Sequence, residues 1–149
     1  MEIKQKLLEH VKQQVFKRHL KIKQTISDIE ESLLEESKST SGDKHETGRA
    51  MLQIDRENAG KQLLEIEKLI SILPKIEIRT TSDYIRLGSL VYTEKFTYFI
   101  SLSTGLTKLD DEEYVCIALN SPIGTQLIGK RTGDTFVFNN ETFAILDNK

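Results

Sequence analysis

The sequence predicts two architectures in series: an all-α antiparallel coiled-coil hairpin, then a small α+β domain with an antiparallel sheet and one short helix. In the first half, apolar residues recur every seven positions on both sides of one polar break. The second half holds all four tyrosines, five of the six phenylalanines and five of the eight glycines. We therefore place the hairpin at 1–75, with its tip near 37–47, and the sheet domain at 76–149.

The hairpin is predicted by two matching heptad patterns. The first helix carries its apolar repeat at Leu8, Val15, Ile22 and Ile29. The returning helix repeats the pattern at Leu52, Ala59, Ile66 and Leu73. The break between them, 37–43, is rich in serine and other residues whose side chains compete with helical hydrogen bonds. Pro74 ends the second helix, because its ring removes an N–H donor and disfavours helix in the residue before it.

The strands of the second half are predicted from short runs of β-branched and aromatic residues between turn-forming residues. These runs are 88–93, 96–103, 113–119, 134–138 and 142–146. Asn139 and Asn140 suit a tight hairpin turn, because asparagine tolerates positive φ. The acidic run 110–113 is most simply a solvated turn between strands.

A short helix is predicted over 121–129. Ser121 suits its N-cap, Pro122 suits its first turn, and Gly129 lies just beyond its end. The residues expected to face the sheet are Ile123, Leu127 and Ile128.

Composition excludes several classes of protein. The 149 residues carry 23 acidic and 21 basic side chains, for a net charge of −2, which argues against independent, charge-driven binding to DNA or to a membrane surface. No run of apolar residues is long enough to span a bilayer, and the amino terminus lacks the pattern of a signal peptide, so we expect a cytoplasmic protein. The one cysteine, Cys116, excludes an internal disulfide and suits a buried thiol.

Catalytic motifs are scarce, and the hairpin tip holds the candidate site. Asp43 and Glu46 lie three residues apart there. This is the spacing of a capping box, in which both side chains accept hydrogen bonds from free backbone N–H groups. It also suits a protruding pair of hard oxygen ligands for Mg²⁺ held partly by another molecule. The two interpretations are compatible, because each carboxylate has two oxygens.

A basic stretch lies midway along the first helix. It could follow a phosphate backbone, or it could be the solvated flank of a coiled coil. The candidate RNA-contacting residues are Lys17, Arg18, Lys21 and Lys23.

Three segments of the second half carry a family resemblance: 87–91 (Leu-Gly-Ser-Leu-Val), 120–130 (Asn-Ser-Pro-Ile-Gly-Thr-Gln-Leu-Ile-Gly-Lys) and the pair Gly133-Asp134. They resemble the carboxyl-terminal domain of the GreA/GreB transcript-cleavage factors, and the Ser-Pro segment is the most specific of them. With the hairpin in front, the resemblance spans nearly the whole chain and keeps the domain order of the family.

The resemblance implies a fold and a mode of action. Residues 76–149 would be FKBP-like and would dock at the rim of the secondary channel of bacterial RNA polymerase. The coiled coil would enter the channel and bring Asp43 and Glu46 to the polymerase active site, where they help bind Mg²⁺ and promote cleavage of backtracked nascent RNA near its 3′ end. The chain would act as a monomer, with no cofactor of its own beyond Mg²⁺ shared with the polymerase. The docking region would comprise Ser121, Pro122, Ile123, Gly124, Leu127, Gly129 and Lys130.

The tip departs from the family pattern after its two acids. Thr47 stands where the family has asparagine, Lys44 where it has an apolar residue, and Ala50 where it has tyrosine. Lys44 and His45 add positive charge that would weaken attraction for Mg²⁺ if they face it. An alternative is therefore a non-cleaving regulator that occupies the secondary channel. A third, enzymatic alternative is a peptidyl-prolyl isomerase, which needs a pocket lined by aromatic residues.

Overall fold

A computed structural model describes residues 2–38 and 42–149, apart from the side chains at 38 and 42–46. Helix α1 spans Glu2–Lys38 and helix α2 spans Gly42–Ile72, followed by one 3-10 turn at Leu73–Lys75. A six-stranded sheet with one short helix follows. The predicted fold class, a long helical hairpin before a small sheet domain with one short helix, is confirmed. No helix in the described part of the chain is apolar enough to cross a membrane.

The chain forms two structural units. One comprises Met1–Gln14 together with Ser71–Lys149, and the other comprises Val15–Ile70. The first turns of α1 therefore pack with the later part of the chain. The boundary between 75 and 76 that the sequence suggests stays a prediction.

The unit Val15–Ile70 is a pair of antiparallel helices. Arg56 Nε on α2 donates to Glu30 Oε1 on α1 at 3.1 Å, and Arg49 donates to Ser37 Oγ farther along α1. The contacting residue on α1 moves from 30 to 37 as the contacting residue on α2 moves back from 56 to 49, so the two helices are antiparallel. The residues buried between the helices are Val15, Ile22, Ile26, Ala59 and Ile66. Four of these five belong to the predicted heptads, so the periodicity predicted the seam of this unit.

The ion pair between Glu30 and Arg56 is expected to contribute little to stability. Their side chains are 57% and 39% exposed, so water screens the attraction and ordering both side chains costs entropy. We expect Arg56→Gln to lower the free energy of unfolding by less than about 1 kcal/mol. Thermal unfolding followed by circular dichroism measures this. A loss of about 2 kcal/mol or more would show that the pair does more than an exposed ion pair can.

The other unit contains the sheet, whose strand order is β3-β4-β2-β1-β6-β5. Short helix α3, Pro122–Leu127, follows β4 and packs against β4 and β5. The strands, numbered in chain order, are Leu90–Thr93, Thr97–Ser101, Gly105–Leu109, Glu112–Ala118, Thr135–Phe138 and Glu141–Asn148.

The prediction of a wholly antiparallel sheet is wrong for one strand pair. Strands β2 and β4 are parallel, with Tyr98 opposite Val115 and Ile100 opposite Ile117. The reason is β3, Gly105–Leu109, which the strand prediction missed. It forms an antiparallel hairpin with β4 at the edge of the sheet, so β4 returns in the direction of β2. The two predicted turns are present, because Asp110, Asp111, Asn139 and Asn140 all have positive φ, between 51° and 66°.

The core of this unit lies between α3 and one face of the sheet. Leu127 is fully buried and Ile123 is 8% exposed, and they pack with sheet residues such as Ile100 and Ile145. Ile128 was expected to share their face. That prediction is wrong, because Ile128 is 49% exposed. The helix ends at Leu127, so Ile128 leaves the helical face and takes an extended ψ of 133°.

The opposite face of the sheet is also buried where β1, β2 and β4 lie together. Phe99 is fully buried and Cys116 is 1% exposed. Burial raises the pKa of the Cys116 thiol, since an apolar environment disfavours the thiolate. Its burial fits the predicted role of a small apolar residue.

Candidate functional site

The candidate site lies in the first turns of α2, next in sequence after the end of α1. Helix α1 ends at Lys38 and α2 begins at Gly42, so Asp43 and Glu46 belong to the first turns of α2. Their side chains lie outside the described part of the structure. The capping hydrogen bonds and the distance between the two carboxylates therefore stay predictions.

Next to the candidate site, side-chain contacts join α1 to α2. Arg49 on α2 donates to Ser37 Oγ and reaches the main-chain oxygen of Leu33, on α1, at 3.5 Å. A Cβ on Gly48 would lie 3.4 Å from Glu36 Oε1, at ordinary van der Waals distance from α1. These contacts join the last turns of α1 to the part of α2 that follows the two acids.

The four candidate RNA-contacting residues are all exposed, but the structure brings only two of them into one groove. Arg18 and Lys21 line a groove of about 370 Å³ together with Gln62 and Glu65 of α2. Among the described residues, no acidic side chain forms an ion pair with Arg18 or Lys21. Lys17 and Lys23 lie on α1 outside this groove. The groove offers two free cations on the α1 side and an acid on the α2 side.

The helix predicted from the Ser-Pro segment forms as expected. Ser121 is its N-cap: its Oγ accepts a hydrogen bond from the Gly124 N–H at 3.1 Å and donates to the Ala118 main-chain oxygen at 2.6 Å. Thr125 Oγ1 donates to the Pro122 oxygen at 2.8 Å. The serine hydroxyl therefore links the start of α3 to the end of β4 through two hydrogen bonds.

Removal of the Ser121 hydroxyl is expected to lower stability. Ser121→Ala leaves one helix N–H without its partner and should cost about 1–2 kcal/mol of unfolding free energy. Ser121→Thr keeps the hydroxyl and should lose well under half of that. Urea unfolding followed by tyrosine fluorescence measures both, since all four tyrosines lie at or beyond residue 84. Equal losses in the two variants would show that the cap is not the cause.

The turn after α3 is tied to the segment before β1. Gly129 N–H donates to the Ile85 oxygen at 2.9 Å, and Ile85 N–H donates to the Lys130 oxygen at 2.8 Å. Gly129 has φ of +79°, which an L-residue rarely adopts. The guanidinium of Arg131 stacks over the Tyr84 ring, 4.0 Å from its centroid, and also donates to the Tyr84 hydroxyl.

The predicted docking region divides into two groups by exposure. Ile123, Gly124 and Leu127 are buried, while Pro122 and Gly129 are exposed and Ser121 and Lys130 are half-buried. The accessible surface beside them includes Ile128, which sequence reasoning placed in the core, and the Arg131–Tyr84 pair, which it missed. Contact between Tyr84 and Arg131 joins residues 47 positions apart, so no local pattern could reveal it.

The tip offers two carboxylates, Asp43 and Glu46, as donors for a metal ion. Within the described residues, no group of three or more histidine, cysteine or carboxylate side chains could hold a metal ion. The two tip acids are oxygen donors of the kind that Mg²⁺ prefers. Two carboxylates alone leave most of an octahedral shell to other ligands.

Comparisons with known proteins give a likeness to solved structures and none to known sequences. No protein-family model and no curated protein sequence matches the chain. Among solved structures, the chain is similar to the crystal structure of GreA factor homolog 1 (Gfh1) protein of Thermus thermophilus. The identity is 20% and the TM-score 0.35, over 95% of this chain and 94% of that chain. A likeness at this level is too low to carry a functional argument.

Proposed function

We propose that this chain is a transcription elongation factor that binds bacterial RNA polymerase at its secondary channel and stimulates cleavage of backtracked nascent RNA. The observation that carries the proposal is a pair of long antiparallel helices with two acids in the first turns of α2, before a sheet domain whose Ser-Pro segment forms a capped helix. The motifs that resemble the GreA/GreB family supply the partner and the reaction. Cleavage itself would belong to the polymerase, and the chain would be its activator.

The hairpin suits the delivery of side chains to a distant, narrow site. The 31 residues of α2 span about 46 Å at about 1.5 Å per residue. Asp43 and Glu46 at its start would supply carboxylate oxygens, which would orient a water molecule and hold part of a metal shell. Mg²⁺, when bound between these acids and the polymerase, would lower the pKa of water and stabilise charge on the phosphate. The helices would hold the acids in place, and such positioning accounts for much of the rate in reactions of this kind.

The exposed cations of α1 would contribute to the same complex. Arg18 and Lys21 lack ion-pair partners among the described side chains, so their charges are free to attract RNA phosphates. The net charge of −2 makes independent nucleic-acid binding weak. RNA contact would therefore depend on prior binding to the polymerase.

The proposal is tested by adding the purified chain to a stalled, backtracked elongation complex with Mg²⁺. We expect short RNA fragments released from the 3′ end, at a rate above that of the polymerase alone. When the RNA is labelled at its 3′ end, the released fragments should carry the label. The polymerase should be able to extend the shortened transcript. Binding without any gain in cleavage would contradict the cleavage role.

The second candidate is a non-cleaving regulator of the same channel. It is favoured by Lys44, His45 and Thr47, which depart from the family pattern beside the acids. Such a regulator would compete with an active cleavage factor for the polymerase and would lower RNA cleavage in a mixture of the two. Adding an active cleavage factor to the assay above therefore separates the two candidates by the sign of the change in RNA cleavage.

The isomerase alternative needs an open pocket lined by aromatic rings, and two of its candidate rings are buried. Tyr98 and Phe136, two of the aromatics that could line a proline pocket, are 6% and 3% exposed in the core of the sheet domain. Phe136 packs against Phe143 with ring centroids 5.6 Å apart. These rings are occupied by packing and do not line an open pocket.

A further inference from the structure

The packing between the two long helices changes along the hairpin. In the unit Val15–Ile70, the buried seam uses α1 residues up to Ile26 and α2 residues from Ala59 onward. Nearer the tip, in the described stretches 27–37 and 47–58, no residue is buried. Leu33 and Leu52, two apolar residues of these stretches, are only half-buried. Apolar packing therefore joins the helices less firmly near the tip, and polar contacts supply more of the connection there.

One such polar contact joins Arg49 of α2 to the last turns of α1. Ser37 Oγ donates a hydrogen bond to the Leu33 main-chain oxygen at 2.9 Å. The Arg49 guanidinium donates to the same serine hydroxyl and reaches the same Leu33 oxygen at 3.5 Å. Because its donor is charged, this contact is stronger than one between neutral groups. We call these three residues the Arg49 contact.

The Arg49 contact lies close to the two acids along α2. Glu46 precedes Arg49 by three residues and Asp43 precedes it by six, and all three belong to the same helix. At about 1.5 Å of rise per residue, the acids lie about 4.5 Å and about 9 Å from Arg49 along the helix axis. Main-chain hydrogen bonds link each turn of a helix to the next. A contact that holds Arg49 against α1 therefore restricts the first turns of α2 as well.

Exposure separates the effect of this contact on stability from its effect on position. Arg49 and Ser37 are both exposed, so their contact contributes little to the free energy of unfolding, like that of the exposed pair Glu30 and Arg56. Reaction rates are far more sensitive to position, because a displacement of about 1 Å can cost about 100-fold. The Arg49 contact can therefore affect a reaction at the tip without much effect on folding.

We propose that Arg49 is a positioning residue for the two acids at the tip. Its bonds to α1 hold the first turns of α2 in one orientation, so that both carboxylates reach the shared metal ion together. This role rests on the proposed function, because that function supplies the metal site and the RNA. Arg49 itself touches neither the metal ion nor the RNA in this proposal, and it acts only through the helix that carries the acids.

The first test measures cleavage of backtracked RNA at a saturating concentration of the protein. Arg49→Gln removes the cation, and Ser37→Ala removes its partner on α1 without any change in net charge. Each variant should lower the maximal rate of 3′ fragment release about tenfold and bind the polymerase within about twofold of wild type. The double variant should cleave no more slowly than either single variant, because both substitutions break one interaction. Losses that multiply in the double variant would overturn the proposal.

Arg56→Gln is the matched control for Arg49→Gln. Arg56 is also an arginine of α2 that contacts α1, and the change in net charge is the same. It lies seven residues farther from the tip, which is about 10 Å along the helix. The control should cleave within about twofold of wild type. A loss in the control equal to that of Arg49→Gln would show that the specific place of Arg49 is unimportant, which contradicts the proposal.

The Mg²⁺ dependence separates positioning from a general loss of structure. Metal ligands that are oriented less well bind their ion about 10-fold to 100-fold more weakly. Arg49→Gln should therefore need about tenfold more Mg²⁺ than wild type for half-maximal cleavage, and excess Mg²⁺ should recover part of the rate. A lower rate with an unchanged half-maximal Mg²⁺ concentration would show that Arg49 does not act through the acids, and the proposal would fail.

Hydrogen exchange in the free protein keeps the test independent of the polymerase. The main-chain amides of 47–52 should exchange faster in Arg49→Gln and in Ser37→Ala than in wild type, and those of 59–66 should be unchanged. Unchanged exchange at 47–52 would remove the role of Arg49 and leave the proposed function standing. If the wild-type protein binds the polymerase and stimulates no cleavage, the proposed function fails and the positioning role fails with it.

Discussion

Replacing Asp43 by asparagine and Glu46 by glutamine should abolish RNA cleavage stimulated by this protein and leave polymerase binding intact. The substitutions keep the size of each side chain but remove both negative charges at the turn. Loss of one well-positioned electrostatic group commonly costs about 10²–10³ in rate, so the pair should cost at least about 100-fold. The measurement is the rate of 3′ fragment release at a protein concentration that saturates the polymerase.

The matched control for the tip variant is Asp28→Asn with Glu31→Gln. These acids are exposed on α1, away from the turn, and the change in net charge is the same. The control should cleave within about twofold of wild type, because surface substitutions away from a site have small effects. Cleavage that survives in the tip variant, or is lost equally in the control, would remove the metal-directing role of the two acids.

Gly124→Ala should cause a large loss of stability, although it adds only one methyl group to α3. A Cβ there would lie 2.1 Å from the Ala118 oxygen and 2.7 Å from the Leu119 oxygen. Both are main-chain atoms, so relief of the clash must move α3 or the end of β4. We expect a loss of about 3 kcal/mol in the free energy of unfolding, in spite of the better helix propensity of alanine. Urea unfolding followed by tyrosine fluorescence measures it.

Gly129→Ala separates steric overlap from backbone strain. A Cβ at Gly129 meets no atom within 4 Å, but the residue has φ of +79°. Its cost should therefore be the strain alone, about 1–2 kcal/mol. A Gly124→Ala loss no larger than that of Gly129→Ala would show that α3 can shift without penalty.

Local patterns in the sequence predicted the elements that depend on neighbours along the chain. The heptads predicted the seam through Val15, Ile22, Ala59 and Ile66, because a seven-residue repeat places these side chains on one side of a helix. Ser121, Pro122 and Gly129 predicted α3, because helix caps act within a few residues. The paired asparagines predicted a hairpin turn for the same reason.

Features that depend on distant residues could not be predicted in this way. Strand β3 begins with a glycine and is exposed along most of its length, so its sequence carries only a weak strand pattern. Its pairing with β4 makes it a strand. The parallel β2–β4 pair follows from that missed strand. Ile128 looked like a core residue by spacing, but the helix ends one residue before it.

Surface features divide in the same way, into those that local sequence predicts and those that depend on distant residues. The acids at the tip, Asp43 and Glu46, were predicted from local spacing, and their role stays a prediction. The groove between the start of α1 and the segment after α2 brings Leu8 beside Ile78, some seventy positions later in the chain. No periodicity in the sequence marks that arrangement.

The central claim is that the turn of the hairpin works beside the 3′ end of the RNA inside the polymerase. Its most direct test attaches a photoactivatable cross-linker at Asp43→Cys and, as a control, at the exposed Lys108→Cys of the sheet domain. Buried Cys116 should not be labelled in the native protein. In a backtracked complex with labelled RNA, position 43 should cross-link to the 3′ segment of the transcript and position 108 should not. The absence of RNA cross-links from position 43, in a complex that the labelled chain has bound, would contradict the account.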